Sequence, residues 1–214
     1  MTNNLYLKLE AKINSLPVIF IENDRQEILL QLASIIQEKL NKGEDVNLNF
    51  ICTHNSRRSQ ISQIWAAAIV LHFGFDNIRC YSGGTEITAF HPNAIKALEK
   101  NGFVFQSESN SSNPHYFVSF SDLLVPLNCF SKVFDDEQND AKPFVAIITC
   151  SDAEANCPFI PDAEKRIAIR YKDPKYADNT PEKEYAYDLC SDTIASEMHF
   201  VFSSLKNEMD QQFL

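Results

Sequence analysis

Glycine is scarce in this chain, five residues in 214, and no low-complexity linker interrupts it. Two independently folded domains joined by a flexible tether are therefore not expected. No run of about 18 apolar residues occurs, the length a membrane-spanning helix needs. The N-terminus also lacks the basic and then apolar pattern of a signal peptide, so the expectation is a soluble, cytoplasmic protein. Positive charge is in deficit: 19 Lys and Arg stand against 29 Asp and Glu, a formal charge of −10. Binding to a phosphate backbone needs a net positive field, so nucleic acid is not an expected partner, and an anionic membrane surface fits no better. His54, His72, His91 and His115 show no metal-ligand spacing. Cys150 and Cys157 stand further apart than the usual zinc pair and have no second pair beside them, so neither metal nor cofactor is expected. At 44% hydrophobic content the chain can bury one substantial domain plus an appendage.

The informative stretch is 46–65. An apolar strand with Leu48, Phe50 and Ile51 runs into Cys52; Thr53, His54, Asn55, Ser56 and Arg57 lead to Arg58 and Ser59, where a helical pattern begins. With six Cys and six Arg in the chain, Cys-x5-Arg arises by chance in roughly one such chain in six, and a cysteine after a strand is more often a buried structural thiol. The strand before and the helix after raise the pattern above chance. A loop winding into a helix N-terminus turns backbone N–H groups inward, where the helix dipole also favours negative charge. That field favours Cys52 as a nucleophilic thiolate. Arg58 offers a planar fork to two oxygens of a tetrahedral anion, Arg57 makes the cradle more positive, and Ser59 can donate to the thiolate or cap the helix.

A second β-branched run (Val145, Ile147, Ile148) ends near Cys150, and Cys157 follows after small and polar residues that suit a mobile or one-turn segment. Parallel α/β sheets present functional residues at the carboxyl ends of their strands, which is where both Cys52 and Cys150 would lie. Cys80, Cys129 and Cys190 fall in apolar stretches and read as buried thiols.

Cys-Thr-x-Asn-Ser-x-Arg-Ser-Gln at 52–60 and Thr-Cys-Ser-Asp-Ala-x-x-Asn-Cys-Pro at 149–158 resemble the thioredoxin-coupled arsenate reductases, which share the fold of the low-molecular-weight protein tyrosine phosphatases. Trp65, Tyr81-Ser82 with Gly84 and Glu86, Pro92-x-Ala94-Ile95-x-Ala97 and Asp173-Pro174 match in order, so the likeness spans about 48–175 with gaps. The resemblance implies an α/β fold with a central parallel sheet flanked by helices, and a part in arsenical resistance. It further implies a three-thiol relay. Cys52 attacks arsenate within the loop 53–59, and Asp173 protonates the departing oxygen. Cys150 attacks Cys52 and releases arsenite, and Cys157 then takes over to leave a Cys150–Cys157 disulfide for thioredoxin to reduce. Without the resemblance, Asp173-Pro174 reads as a turn. Such a disulfide cycle is compatible with a reducing cytosol. Two other readings stand beside it. One is a phosphatase for phosphotyrosine or small phosphate esters, using Cys52, Arg58 and Asp173 through a phosphocysteine. The other is a non-enzymatic redox or arsenic-responsive protein that keeps the fold.

The chain departs from that family at several points. His54 stands where the family has a glycine, and the expectation is that this histidine takes the positive φ. Arg57 replaces a frequent cysteine, Gln63 replaces the glutamate of potassium-binding members, and Lys175 replaces the tyrosine of eukaryote-type phosphatases.

Residues 1–45 read as an N-terminal helical extension and 46–214 as the catalytic domain, with an insertion at about 110–136. Ile28, Leu29, Leu32, Ile35, Ile36 and Leu40 predict a helix over 22–41, capped by Asn23 or Asp24 and stopped at Gly43. The insertion reads as a hairpin with strands 115–120 and 125–134. Helices are expected over 61–73 and 93–101, the latter starting at His91-Pro92 and ending at Gly102, and a strand over 78–82. A final helical segment over 181–205 places Tyr185, Leu189, Ile194, Met198 and Val201 at core-like intervals. Tyr176, Tyr185 and Tyr187 read as packing.

Overall fold

The computed structural model describes residues 5–16, 21–107, 111–139, 142–156 and 159–212. Two helices come first, α1 (Leu7–Asn14) and α2 (Asn23–Asn41), followed by β1 (Val46–Cys52), α3 (Arg58–Phe73), β2 (Ile78–Gly84) and α4 (Pro92–Asn101). Three short strands follow, β3 (Val104–Ser107), β4 (Tyr116–Ser119) and β5 (Leu127–Cys129). The chain then forms β6 (Phe144–Ile148), α5 (Ser151–Asn156), β7 (Ala163–Ala168), a 3-10 turn (Pro174–Ala177) and α6 (Lys183–Gln212).

The central sheet is parallel, in the order β2-β1-β6-β7. Its two inner strands are buried at every position because both faces are covered; β6 is apolar throughout, while β1 carries two buried asparagines, Asn47 and Asn49, whose amides donate to Pro143 O and Phe134 O. The two-residue period of a strand divides them between two cores. Val46, Leu48, Phe50, Val145 and Ile147 join the larger one with Ile61, Ile64 and Trp65 of α3, Leu29, Leu32 and Ile36 of α2, and Ile194, Met198 and Val201 of α6. Ile51, Cys52, Ala146 and Ile148 face a smaller cluster with Cys150, Ala153 and Ile160.

The extension packs into the main core. Leu9, Ile13, Leu29, Leu32 and Ile36 have no exposed surface. Arg25 of α2 grips Glu197 of α6 with two bonds of 2.7 Å, and Lys39 reaches Glu164 on β7 at 2.7 Å. The residue before α2 is Glu22, which makes no side-chain cap, so the expected capping by Asn23 or Asp24 is not seen. Gly43 and Gly102 follow their helices at φ 71° and 109°, the left-handed geometry that ends a helix.

The inserted stretch forms the expected antiparallel hairpin, β4 against β5, with one further strand added to it. β4 and β5 are shorter than expected, and β3 pairs antiparallel with β4 to make a separate three-stranded sheet. Val104 and Gln106 carry no apolar alternation strong enough to announce β3. Residues 151–156 form a helical turn, and the edge strand β7, mostly exposed and charged, has no apolar signature to betray it. On α6, Tyr185 and Leu189 are 66% and 48% exposed, contrary to expectation, while Tyr187 is 1% exposed. The buried stripe is shifted by two positions at its N-terminal end.

Replacing Leu32 by Ala should cost about 2–5 kcal/mol, the usual loss for a fully buried leucine, whereas Leu30→Ala on the exposed face should stay within about 0.5 kcal/mol. Urea unfolding of both variants checks this. Equal small effects would show that α2 contributes little to the core.

Candidate functional site

β1 delivers Cys52 to the carboxyl edge of the sheet, and α3 begins at Arg58. Between them the loop carbonyls are all engaged. Thr53 O accepts from the Thr85 and Glu86 N–H groups at 2.8 and 2.9 Å. His54 O accepts from the hydroxyls of Ser131 (2.8 Å) and Thr88 (3.1 Å). Asn55 O takes Gln60 Nε2 at 3.2 Å, and Ser56 O takes the His91 N–H at 2.9 Å. A trans peptide points its N–H opposite its carbonyl, so the N–H groups of His54, Asn55, Ser56 and Arg57 turn away from these partners. That is the orientation a nest for a tetrahedral oxyanion requires.

The left-handed residue is Asn55, with φ 44°, not His54. Asparagine adopts this region more readily than most residues because its side chain bonds locally. Here that side chain is fully buried and bonded at both its oxygen and its nitrogen. The Lys132 N–H donates to its Oδ1 at 3.0 Å and Gln60 Nε2 to the same oxygen at 3.1 Å. Its Nδ2 therefore faces Ser59 Oγ, at 2.9 Å. With an incoming donor on its oxygen, Ser59 has its own proton left for Cys52 Sγ, 3.0 Å away. His54 instead lies at the rim, its ring 3.3 Å from the Glu86 carboxylate.

Arg58 is buried beneath the loop. Nη1 donates to Tyr171 O at 3.2 Å and Nη2 to Asp173 Oδ2 at 2.6 Å, while Nε is buried with no partner. A buried guanidinium N–H without an acceptor is costly unless a ligand supplies one. The other Asp173 oxygen accepts the Lys175 N–H at 3.0 Å and caps the 3-10 turn.

Arg57 does not add its charge to the cradle as expected. Its side chain donates to Tyr187 Oη at 2.8 Å and to Asp178 at 3.1 Å. Tyr187 Oη also donates to Asp178 Oδ1 at 2.7 Å, and the His91 ring stacks on the tyrosine. Burial works to raise the Asp178 pKa, but the Tyr187 hydroxyl, Arg57 and His91 outweigh it and hold the group below the ordinary carboxylate range. Burial, reinforced by Arg57, lowers the His91 pKa. His91 is the helix start that the sequence suggests, a cap whose ring nitrogen accepts from the Asn93 N–H, but the sequence did not foreshadow this network. Nothing in the chain's spacing announces it.

Cys150 lies beyond the end of β6, the strand next to β1, and is 1% exposed. Its Sγ is 3.5 Å from Thr53 Oγ1 and accepts the Ala153 N–H at 3.4 Å. Cys157 lies outside the described residues. Gln63, at the position of the potassium-linked glutamate, takes the Ser82 hydroxyl at 2.6 Å and donates to Cys80 O at 3.1 Å. Among the described residues no group of three His, Cys, Asp or Glu side chains is placed to hold a metal ion, and no helix is long and apolar enough to cross a membrane. Burial pushes the Cys129 and Cys190 thiols up to about 12 and Cys80 higher still.

A depressed carboxylate stabilises the fold above its unfolded pKa, about 3.9 for Asp, and that contribution is lost as pH falls through the lower folded value. Asp178→Asn should therefore lower the thermal midpoint at pH 7, with the gap from the native chain closing below about pH 4. A pH-independent gap would show that the carboxylate charge is not what holds Arg57.

Comparison with known proteins agrees with this geometry. The chain is 28% identical to an arsenate reductase of Bacillus subtilis over 144 residues, covering 67% of this chain and 85% of that protein. It is 30% identical to an arsenate reductase 2 of Staphylococcus epidermidis over 125 residues, 58% of this chain and 76% of that one. In fold it is similar to a YwlE mutant from Bacillus subtilis (TM-score 0.53, 15% identity, 76% of this chain and 99% of that one). It is likewise similar to a low molecular weight phosphotyrosine phosphatase from Vibrio cholerae (TM-score 0.54, 13% identity, 76% and 98%). The model of the low molecular weight phosphotyrosine protein phosphatases matches residues 47–211, from the first residues of the strand that carries Cys52 almost to the end of α6. Sequence, sheet order and loop thus lead to one assignment: the chain belongs to the low molecular weight phosphotyrosine protein phosphatase family.

Proposed function

We propose that this protein reduces arsenate to arsenite through a thiol relay that starts at Cys52, with residues 46–214 as the catalytic unit and 1–45 as an extension. The observation that carries the reading is the second buried thiol. Adjacent strands run about 4.8 Å apart, and Cys150 leaves β6 beside the strand that bears Cys52, its sulfur against the first residue of the oxyanion loop. A phosphatase needs no such group. The relatives named arsenate reductase support the same choice.

The anion enters the cradle and takes the loop N–H groups and Arg58 Nε. It competes with Asp173 for Arg58 Nη2, so loading the site also frees the carboxyl group for its role as acid. Cys52 thiolate attacks arsenic, one oxygen departs as water with a proton from Asp173, and a sulfur–arsenic(V) bond forms. Cys150 thiolate then attacks the Cys52 sulfur. The S–S bond forms, the S–As bond breaks, and its electron pair passes to arsenic, which leaves as arsenite. Cys157 attacks Cys150 and releases Cys52 as thiolate. A Cys150–Cys157 disulfide remains for an external dithiol of the thioredoxin class, in a reducing cytosol.

The second reading, hydrolysis of phosphate esters, rests on the same cradle, because arsenate and phosphate share shape and charge. Fully reduced native protein exposed to arsenate without added reductant should yield about one equivalent of arsenite and a Cys150–Cys157 disulfide by peptide mass spectrometry, with no disulfide after phosphate. Cys150→Ser should abolish arsenite release yet leave p-nitrophenyl phosphate hydrolysis within about twofold, while Asp173→Asn should slow attack on either substrate by roughly 10²-fold or more. Arsenite turnover by Cys150→Ser with a dithiol donor would refute the relay. Three free thiols and no arsenite in the native chain would favour the phosphatase.

A further inference from the structure

The stretch between α4 and β6 contains a segment, Phe130–Phe134, that holds the oxyanion loop from outside. Three successive residues each take one group of the loop or of the helix behind it. Phe130 O accepts Gln60 Nε2 at 2.8 Å. Ser131 Oγ donates to His54 O at 2.8 Å. The Lys132 N–H donates to Asn55 Oδ1 at 3.0 Å. The segment is itself fastened to the end of β2, since the Gly84 N–H donates to Lys132 O at 2.8 Å and the Phe134 N–H to Gly84 O at 3.0 Å. The approach is so close that a Cβ on Gly83 would lie 2.2 Å from Phe134 Cα, and one on Gly84 would lie 2.7 Å from Thr53 O.

Ser131 has no exposed surface, and its hydroxyl has only one possible orientation. The Thr88 N–H can only donate, and it reaches Ser131 Oγ at 2.8 Å. The serine oxygen is therefore the acceptor there, and its single proton goes to His54 O. The Asn113 side chain clamps the serine backbone at both its N–H (3.1 Å) and its carbonyl (2.8 Å). The other hydroxyl on His54 O, from Thr88, is longer at 3.1 Å and on an exposed residue.

We propose that Ser131 is a positioning residue of the oxyanion site: by holding the His54 carbonyl outward it turns the Asn55 N–H toward the anion, and so sets the affinity of the cradle for a tetrahedral oxyanion. The proposal rests on the reading of the loop as an oxyanion site. The next residue performs the matching task on the side chain. Lys132 fixes the Asn55 amide so that Nδ2 faces Ser59 and the Ser59 proton faces Cys52. The insertion thus supports both the backbone and the side chain of the one left-handed residue in the loop. Without the Ser131 hydroxyl, the His54–Asn55 peptide keeps only the longer bond from Thr88 and loses its preference for the donor-inward orientation.

The test uses the full reduced chain and inorganic phosphate as the probe. Alkylation of Cys52 by iodoacetamide, followed by peptide mass spectrometry across a phosphate series, reads the occupancy of the cradle without turnover. In Ser131→Ala the phosphate concentration for half-protection should rise about tenfold, with the alkylation rate in the absence of phosphate within about twofold of native. For arsenate, KM should rise more than kcat falls. Ser131→Cys keeps the volume and a weak donor, so it should fall between the two and serves if the alanine variant does not fold. Half-protection equal to native in a folded variant overturns the proposal. Faster alkylation without phosphate, together with a lower thermal midpoint and unchanged half-protection, would assign Ser131 a structural role and also overturns it. No protection of the native chain by phosphate would overturn the oxyanion reading and this proposal together. The expected protection pattern without arsenite formation would overturn arsenate reduction alone and leave the positioning role standing.

Discussion

Asn55 is the point on which the site depends. It is fully buried and left-handed, and its side-chain amide joins three parts of the molecule: Lys132 from the insertion, Gln60 and Ser59 from α3, and through Ser59 the sulfur of Cys52. The left-handed turn allows the loop to present successive N–H groups to one side, and the amide sets the direction of the proton that reaches sulfur. The main-chain and side-chain consequences come from the same residue. Substituting an amino acid with no local hydrogen bond would lose both, since the strained backbone would have no compensation.

The sheet determines which thiols matter. Among the five described cysteines, only Cys52 and Cys150, at the carboxyl edge of the inner strands, bond to residues of the loop 53–59. Cys80, Cys129 and Cys190 are packed in apolar surroundings that disfavour the thiolate. Cys52 has Ser59 and the loop, and Cys150 has Thr53 and the first turn of α5. The difference lies in the polar groups available to each sulfur, since all five of the described cysteines are buried.

The parts outside the loop also bear on it. α2 binds α6 through Arg25 and Glu197, and α6 supplies Tyr187, which with Asp178 holds Arg57 at the start of α3. The insertion reaches His54 and Asn55 of the loop through Ser131 and Lys132. The loop 53–59 is thus held by two segments that a strand–loop–helix motif does not contain.

Much of the fold was legible in the chain because its signals are local. Apolar continuity marked β6, the run of Leu48, Phe50 and Ile51 into Cys52 marked β1, helical spacing marked α2, and His91-Pro92 with Gly102 bracketed α4. The Cys-x5-Arg loop between strand and helix, and the Cys150 motif, were legible for the same reason. β3 and β7 were not, because edge and surface strands bury too little to leave an apolar pattern, and the start of the α6 stripe was misplaced for want of a cap signal. The sequence by itself determined the chemistry available: a thiol, an arginine and a second thiol, each at the end of a strand or the start of a helix. Only the tertiary structure decided that Asn55 rather than His54 takes the positive φ, that Arg57 turns to Asp178, and that Ser131 and Lys132 hold the loop. Those outcomes depend on hydrogen bonds between residues some 77 to 130 positions apart, and such partners are chosen by packing, which no local spacing encodes.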